Sequence, residues 1–496
     1  MATNLLLPIV LLLLSPGGDS LALFRKWSRS PVPGLRIQAL RSLRGQRGDR
    51  ARAALVSFLA DPDASVVAAA RREIVARNAS ERSDGGAGPS EGRSLVHSIA
   101  SLDDASARIA GLRALLERGD DLTALTRDES PRIRARVIHS GRFAPDALNR
   151  LLRDSDAVVR AWAWEHRNDA PSAAALATER SEELRIAAAR ITDEPQVLVE
   201  LLRDRRWRVQ LAAVLACERV RHRDLVPALI DALRMKPGRV RARCAQTLES
   251  LTGAPYGGDL SRWRRWWKQI EASRGAAFRI RPASSRPKRR ARAERGSVAT
   301  LSFHRLPVVS RRLVFVLDAS RSMADPAPGV ASSGRGTSGG GTSGAGGKRR
   351  WDLVVTELLG VLRRLPRDAR FNVVLFRTGV TAWKPKLVGA TKGNVKRCAD
   401  WIGKQSPAGW TNVFDALEFT LADDDVDAIY LLTDGVPSRG AETTRRAFLD
   451  EIAFLNHYRL VQINCVQAGS SQGLGARWRG FLDELAAAHD GLSVRE

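Results

Sequence analysis

The sequence predicts two architectures in series, an α-helical solenoid followed by a doubly wound α/β domain. Three observations carry this. From about Pro31 to Gly253, a Leu-rich segment, an acidic turn and an aliphatic-Arg-x-x-Ala segment recur, at intervals of about 25–32 residues that suit stacked helical pairs. From 301 onward, short apolar runs alternate with helical segments, the pattern of a sheet covered by helices on both faces. Within that region Leu313-Val-Phe-Val-Leu317 runs without a polar break into Asp318, as a strand buried on both faces does.

With 496 residues the chain has room for two or more domains, each with its own core. Its net charge is +26, unevenly spread. Residues 301–496 hold 26 basic and 20 acidic side chains, so +6, and residues 1–300 carry +20. That surplus suits contact between the repeats and a polyanion such as nucleic acid, anionic lipid or glycan. It equally fits a genome biased toward Arg, Ala and Gly codons, since only ten of the 80 basic residues are Lys. Cys217, Cys244, Cys398 and Cys465 show no CxxC or framework spacing. They read as buried free thiols rather than zinc or redox groups. The seven His form no HExxH or triad-like cluster, and no P-loop is present, so the chain reads as a non-enzyme.

In chain order, Leu5–Leu14 is an apolar run followed by Ser15-Pro-Gly-Gly and Ser20-Leu-Ala22. This reads as a signal peptide over 1–22, too short to span a bilayer, which places the mature protein in the periplasm, cell envelope or exterior. Without export the protein is cytoplasmic. The helical repeat domain is expected over 31–272. Its turns include Asp61-Pro-Asp-Ala-Ser-Val66, Asp154-Ser-Asp-Ala-Val158 and Asp204-Arg-Arg-Trp-Arg-Val209, where Asp precedes the second helix as an N-cap. Arg134, Arg160, Arg185 and Arg241 recur at one repeat position, either lining a face or packing and capping the repeat. Trp263, Trp266 and Trp267 fall on one helical face and suit a lid over the last repeat. Residues 273–300, rich in Arg, Pro and Ser, read as a basic linker. These repeats resemble HEAT repeats of the short bacterial kind, which are usually scaffolds.

In the C-terminal domain, 301–496, strands are expected at 313–317, 371–376, 428–432 and 460–466, with an edge strand at 380–383 and a short last strand at 492–494. Helices are expected at 351–365, 395–402, 413–421, 443–455 and 478–488. Residues 323–350 form a Gly/Ser-rich insertion. Asp318, Ser320 and Ser322 end the first strand at i, i+2, i+4, Thr411 lies in a loop before a helix, and Asp434 ends a later strand. Past the strand ends of a doubly wound sheet these converge as a ring of hard oxygen donors suited to Mg²⁺ or Mn²⁺.

Together these residues resemble the metal-ion-dependent adhesion site of the von Willebrand factor A domain family, whose pattern is DxSxS, then Thr, then Asp. The resemblance implies a Rossmann-like fold. It implies that Ser320, Ser322 and Thr411 ligate the cation directly, with Asp318 and Asp434 acting largely through water. It also implies a protein partner offering a carboxylate to the open position. Arg321 stands where many relatives have Gly. Trp410 is either an aromatic anchor for that partner or packed on its own loop. The leading expectation is an exported scaffold or adhesion protein docking a partner through Mg²⁺, with the repeats as a second surface. Ro ribonucleoproteins also join HEAT-like repeats to an A domain, which makes RNA binding the competing expectation. An accessory subunit of an AAA+ ATPase is a third.

Overall fold

A computed structural model describes residues 24–282 and 301–495, apart from 25, 45, 47–48, 84–88, 169–171, 236–237, 274–277, 327–347, 436, 439, 441–443, 469–477 and 479. The expected signal peptide, most of the linker and the insertion between 327 and 347 therefore lie outside the described residues. The chain divides into two compact units, 1–133 and 134–496. In the first, helices α1 (Pro33–Ser42), α2 (Asp49–Ser57), α3 (Ala64–Ser83), α4 (Pro89–Ala100) and α5 (Ala105–Arg118) pack together, α1 on α3 and α3 on α5. Helix α6 (Pro131–Ser140) crosses the division. In the second unit follow α7 (Ala147–Leu151), α8 (Ala157–Arg167), α9 (Ala173–Ala177), α10 (Glu182–Ile191), α11 (Pro195–Leu201), α12 (Trp207–Val220), α13 (Leu225–Ala232), α14 (Arg239–Thr252) and α15 (Leu260–Ala272). There α8 packs on α10, α10 on α12 and α12 on α14. No helix among the described residues is long and apolar enough to cross a membrane.

The acidic turns separate two tasks. Asp104 and Asp156 cap α5 and α8 by accepting backbone N–H groups of the first turn. An aspartate earlier in the turn meets an arginine instead. Arg36 meets Asp61 at 2.7 Å, Arg108 meets Asp128 at 2.9 Å, Arg134 meets Asp154 at 2.7 Å and Arg185 meets Asp204 at 2.7 Å. Each of those carboxylates also accepts the N–H two residues on. Arg160 donates to the carbonyls of Asp154 and Ser155, and Arg241 to that of Gly258. The recurring arginines thus hold turns, the packing and capping role. Trp263 is fully buried, with its indole N–H on Gly257 O at 2.8 Å. Trp266 and Trp267 lie half-buried against the same core.

The sheet domain is built of β1 (Ser302–Phe303), β2 (Leu306–Pro307), β3 (Arg312–Asp318), β4 (Arg370–Phe376), β5 (Val380–Ala382), β6 (Val388–Gly389), β7 (Ala428–Thr433), β8 (Gln462–Gln467) and β9 (Ser493–Arg495). Strand order is β5-β4-β3-β7-β8-β9, with β4, β3, β7, β8 and β9 parallel and β5 and β6 antiparallel on β4. Strand β3 is central and alternates between two cores, as period-2 side chains must. Leu313, Phe315 and Leu317 pack under α16 (Arg350–Arg364) and α17 (Lys392–Ile402). Val314 and Val316 face α18 (Val413–Leu421), α19 (Arg445–Asn456) and α20 (Phe481–Ala488). Every expected strand and helix of this domain is present, with ends shifted by up to three residues.

The helices of the second unit grip the N-terminal ends of the strands. Phe454, Tyr458 and Leu460 belong to the same buried cluster as Trp162, Leu211 and Leu248. Trp162 stacks on His457 at 3.9 Å and on Phe454 at 5.6 Å. Four helices each contribute an arginine. Arg136 of α6 binds Glu451 at 2.9 Å and also Asp450; Arg190 of α10 binds His457 O at 2.8 Å. Arg208 of α12 caps the carbonyls of Asp424 and Arg459, and Arg239 of α14 those of Asp427 and Leu460. These contacts join 134–272 to the sheet domain, an association that no motif in the sequence marks. They leave the C-terminal ends of the strands, where the candidate site lies, on the opposite edge of the sheet.

Candidate functional site

Two parallel neighbours, β3 and β7, end side by side, Leu317 pairing with Leu432. The residues that follow each strand therefore meet. Asp318 is fully buried, one carboxylate oxygen accepting the Ser320 N–H at 2.8 Å and the other the Thr433 hydroxyl at 2.6 Å. Ser320 Oγ and Ser322 Oγ are 3.1 Å apart, and Ser322 donates to Asp434 Oδ1 at 2.8 Å. Ser320, Ser322 and Asp434 thus form one connected chain of side-chain oxygens, which Asp318 joins through the Ser320 amide.

Thr411 joins through its backbone. Ala408 N–H donates to Ala319 O at 2.8 Å and Arg321 N–H to Gly409 O at 3.2 Å, tying the 408–411 loop to the 319–321 segment. Ser438 N–H donates to Thr411 O at 2.9 Å. The Thr411 hydroxyl lies beside the residue after Asp434, 3.5 Å from where a Cβ on Gly435 would stand. Gly409 makes the loop possible, with φ of +77° and Thr378 Oγ1 only 2.5 Å from where a Cβ would be. Trp410 is 56% exposed on the rim, and Arg321 is exposed as well.

Burial pushes the Asp318 carboxyl up to about 6, against the hydrogen bonds from Ser320 and Thr433, with the Asp434 charge adding to the rise. A buried carboxylate pair of this kind gains from a cation. The 3.1 Å between the two serine oxygens fits one: adjacent ligands of an octahedral Mg²⁺ at about 2.1 Å from the ion stand roughly 3 Å apart. The donors are hydroxyl and carboxylate oxygens, the set hard cations select.

Two contributors escaped sequence reasoning. Thr433, inside the apolar run of β7, supplies the hydroxyl on Asp318. Arg350 donates from Nη1 to Asp434 Oδ2 at 2.8 Å. A signal for Arg350 was available: a cation at the first residue of a helix opposes the helix dipole, so it needs an anionic partner elsewhere.

Residues 343–493 match the family model described as von Willebrand factor type A domain. The matched span includes Thr411 and Asp434 and begins after Asp318, Ser320 and Ser322. Inter-alpha-trypsin inhibitor heavy chain H3 of Mesocricetus auratus is 30% identical over 147 residues, 27% of this chain and 14% of that protein. von Willebrand factor A domain-containing protein 3B of Homo sapiens is 28% identical over 145 residues, 29% of this chain and 10% of that protein. Among solved structures, a von Willebrand factor type A protein from Catenulispora acidiphila shows 18% identity and a TM-score of 0.29, covering 38% of this chain and 40% of that one. The chain thus matches no more than 14% of the length of these curated relatives. The C-terminal domain is a von Willebrand factor A domain, preceded by a helical region.

Proposed function

We propose that this protein is a non-enzymatic, exported scaffold or adhesion protein. It captures a protein partner through a Mg²⁺- or Mn²⁺-dependent site on its A domain, and its helices form HEAT-like repeats. The observation that carries the reading is the connected set Asp318, Ser320, Ser322 and Asp434 at the ends of adjacent parallel strands, with Thr411 alongside. Ser320, Ser322 and Thr411 would hold the cation by neutral oxygens, leaving Asp318 and Asp434 to fix its bound waters. Neutral ligands leave a dication under-neutralised, and what it supplies to the site is a Lewis-acidic position for a partner's carboxylate. Trp410 on the rim gives that partner an aromatic contact of the kind that dominates interfaces. The inter-alpha-trypsin inhibitor heavy chains and the A domain-containing protein 3B, matched over this same domain, support an interaction module.

The helical region's part in this reading is to carry the A domain by its lower edge, since Arg136, Arg190, Arg208 and Arg239 are engaged there. Any polyanion contact falls to other basic residues of the repeats and linker. The test is capture of partners from an extract of the source organism in Mg²⁺ and in EDTA. Thr411→Ala and Asp434→Ala are each expected to cut Mg²⁺-dependent capture at least tenfold, about 1.4 kcal/mol, with the circular dichroism spectrum unchanged. Capture indifferent to EDTA and to Thr411→Ala defeats the reading.

A further inference from the structure

Arg350 is fixed where the chain returns to the site. Pro326 and Arg349 form an antiparallel bridge, and Arg350 N–H donates to Asp325 O at 3.0 Å. From this base Nη1 reaches Asp434 Oδ2 at 2.8 Å and lies 3.5 Å from Ser322 O, while Nε is buried with no hydrogen-bond partner among the described residues. The Asp434 side chain is 1% exposed and that of Arg350 23%. Asp434 is therefore closed from both sides, by the Ser322 hydroxyl on Oδ1 and by the guanidinium on Oδ2. Asp318, by contrast, accepts from the Ser320 amide and the Thr433 hydroxyl.

Resting on the metal-site reading above, the geometry points to Arg350 as a built-in counter-cation that competes with the divalent ion for Asp434. A buried carboxylate without a positive neighbour is costly, and Arg350 supplies that charge when no metal is present. A dication held by Ser320, Ser322 and Thr411 stands within a few ångströms of the same carboxylate, and two like charges so close repel in a medium of low dielectric constant. Metal loading must therefore loosen the Arg350–Asp434 pair. The loosened guanidinium, on a partly exposed arm at the rim, becomes a second positive group for the ligand. Arg350 thereby lowers intrinsic metal affinity and couples metal retention to an acidic ligand, so that the site is filled when a carboxylate-bearing partner is present.

The test is titration of the full chain with Mn²⁺, read by loss of the free-ion electron paramagnetic resonance signal, for wild type, Arg350→Gln and Arg350→Lys. Thermal midpoints are recorded with and without metal. Arg350→Gln is expected to bind Mn²⁺ about tenfold more tightly. It should melt at a lower temperature without metal and recover the wild-type midpoint in saturating Mg²⁺. Arg350→Lys, which keeps the charge, stays near wild type in affinity. Wild type binding Mn²⁺ while Arg350→Gln binds it equally or more weakly overturns the role of Arg350 and leaves the metal site standing. Absence of Mn²⁺ binding in all three chains, each with a cooperative melt, overturns the metal-site reading and this inference with it.

Discussion

His489 and Arg350 illustrate how much a single side chain depends on partners remote in sequence. His489 is buried beside Asn456, whose amide nitrogen is 3.0 Å from Nδ1, and Nε2 has no hydrogen-bond partner among the described residues. Burial pulls its pKa down to about 4, so the folded chain holds it neutral. The unfolded chain takes up a proton below about 6.5. The stability contributed by the neutral imidazole is therefore complete above pH 6.5 and is lost as pH falls toward 4. The urea midpoint should fall between pH 7 and pH 5 by the equivalent of about 2 kcal/mol, and His489→Gln should flatten that fall. An equal fall in wild type and variant would assign it to other groups. In sequence, Asp318, Ser320 and Ser322 announce themselves because their spacing is local. Arg350 does not, since Asp434 lies 84 positions away and a Lys-Arg-Arg run after a glycine-rich stretch reads as solvated charge.

Elements were legible in proportion to their length. The runs that became β3, β4, β7 and β8 are six or seven residues long and buried almost throughout, so uninterrupted apolarity identifies them. Strands β1, β2 and β6 have two residues each, too few for any period to show, and they exist because neighbouring strands hold them. The 408–411 loop is a third case. Its conformation rests on one glycine, whose φ of +77° costs an L side chain about 1–2 kcal/mol even before the clash with Thr378. Gly409→Ala is accordingly expected to lower stability by about 2 kcal/mol and to weaken Mg²⁺-dependent capture severalfold, because Thr411 rides on that loop. Gly379→Ala, where an added Cβ meets nothing within 4 Å, is the matched control and should leave both unchanged. Chemical denaturation and capture measured on the two variants check this, and equal effects would show that the loop tolerates the methyl group.

At the scale of the molecule, the association of the second helical half with the A domain was invisible in the sequence because nothing local marks it. Phe454, Tyr458 and Leu460 read as ordinary core residues of a sheet domain, yet they are buried together with Trp162 and the helical core. The arginines that meet the strand starts look, one by one, like the arginines that hold the turns. Their difference is the partner: Arg239 is buried against the carbonyls of Asp427 and Leu460, and Arg243 meets Asp490 at 3.2 Å. Residues 134–272 and 301–496 should therefore melt together. Trp162→Ala removes a large ring stacked on His457 and Phe454, a loss of about 3–5 kcal/mol where the site cannot collapse. Calorimetry of 134–496 is expected to give one transition in the wild type and two separated transitions in Trp162→Ala. The fragment 301–496 alone should melt below the intact chain, since it presents Phe454, Tyr458 and Leu460 to water, and Tyr458→Lys in that fragment should improve its solubility. A fragment that melts at the temperature of the intact chain would mean that the helices touch the A domain without stabilising it. In that case the support for the edge that carries the candidate site would have to be sought within the sheet domain itself.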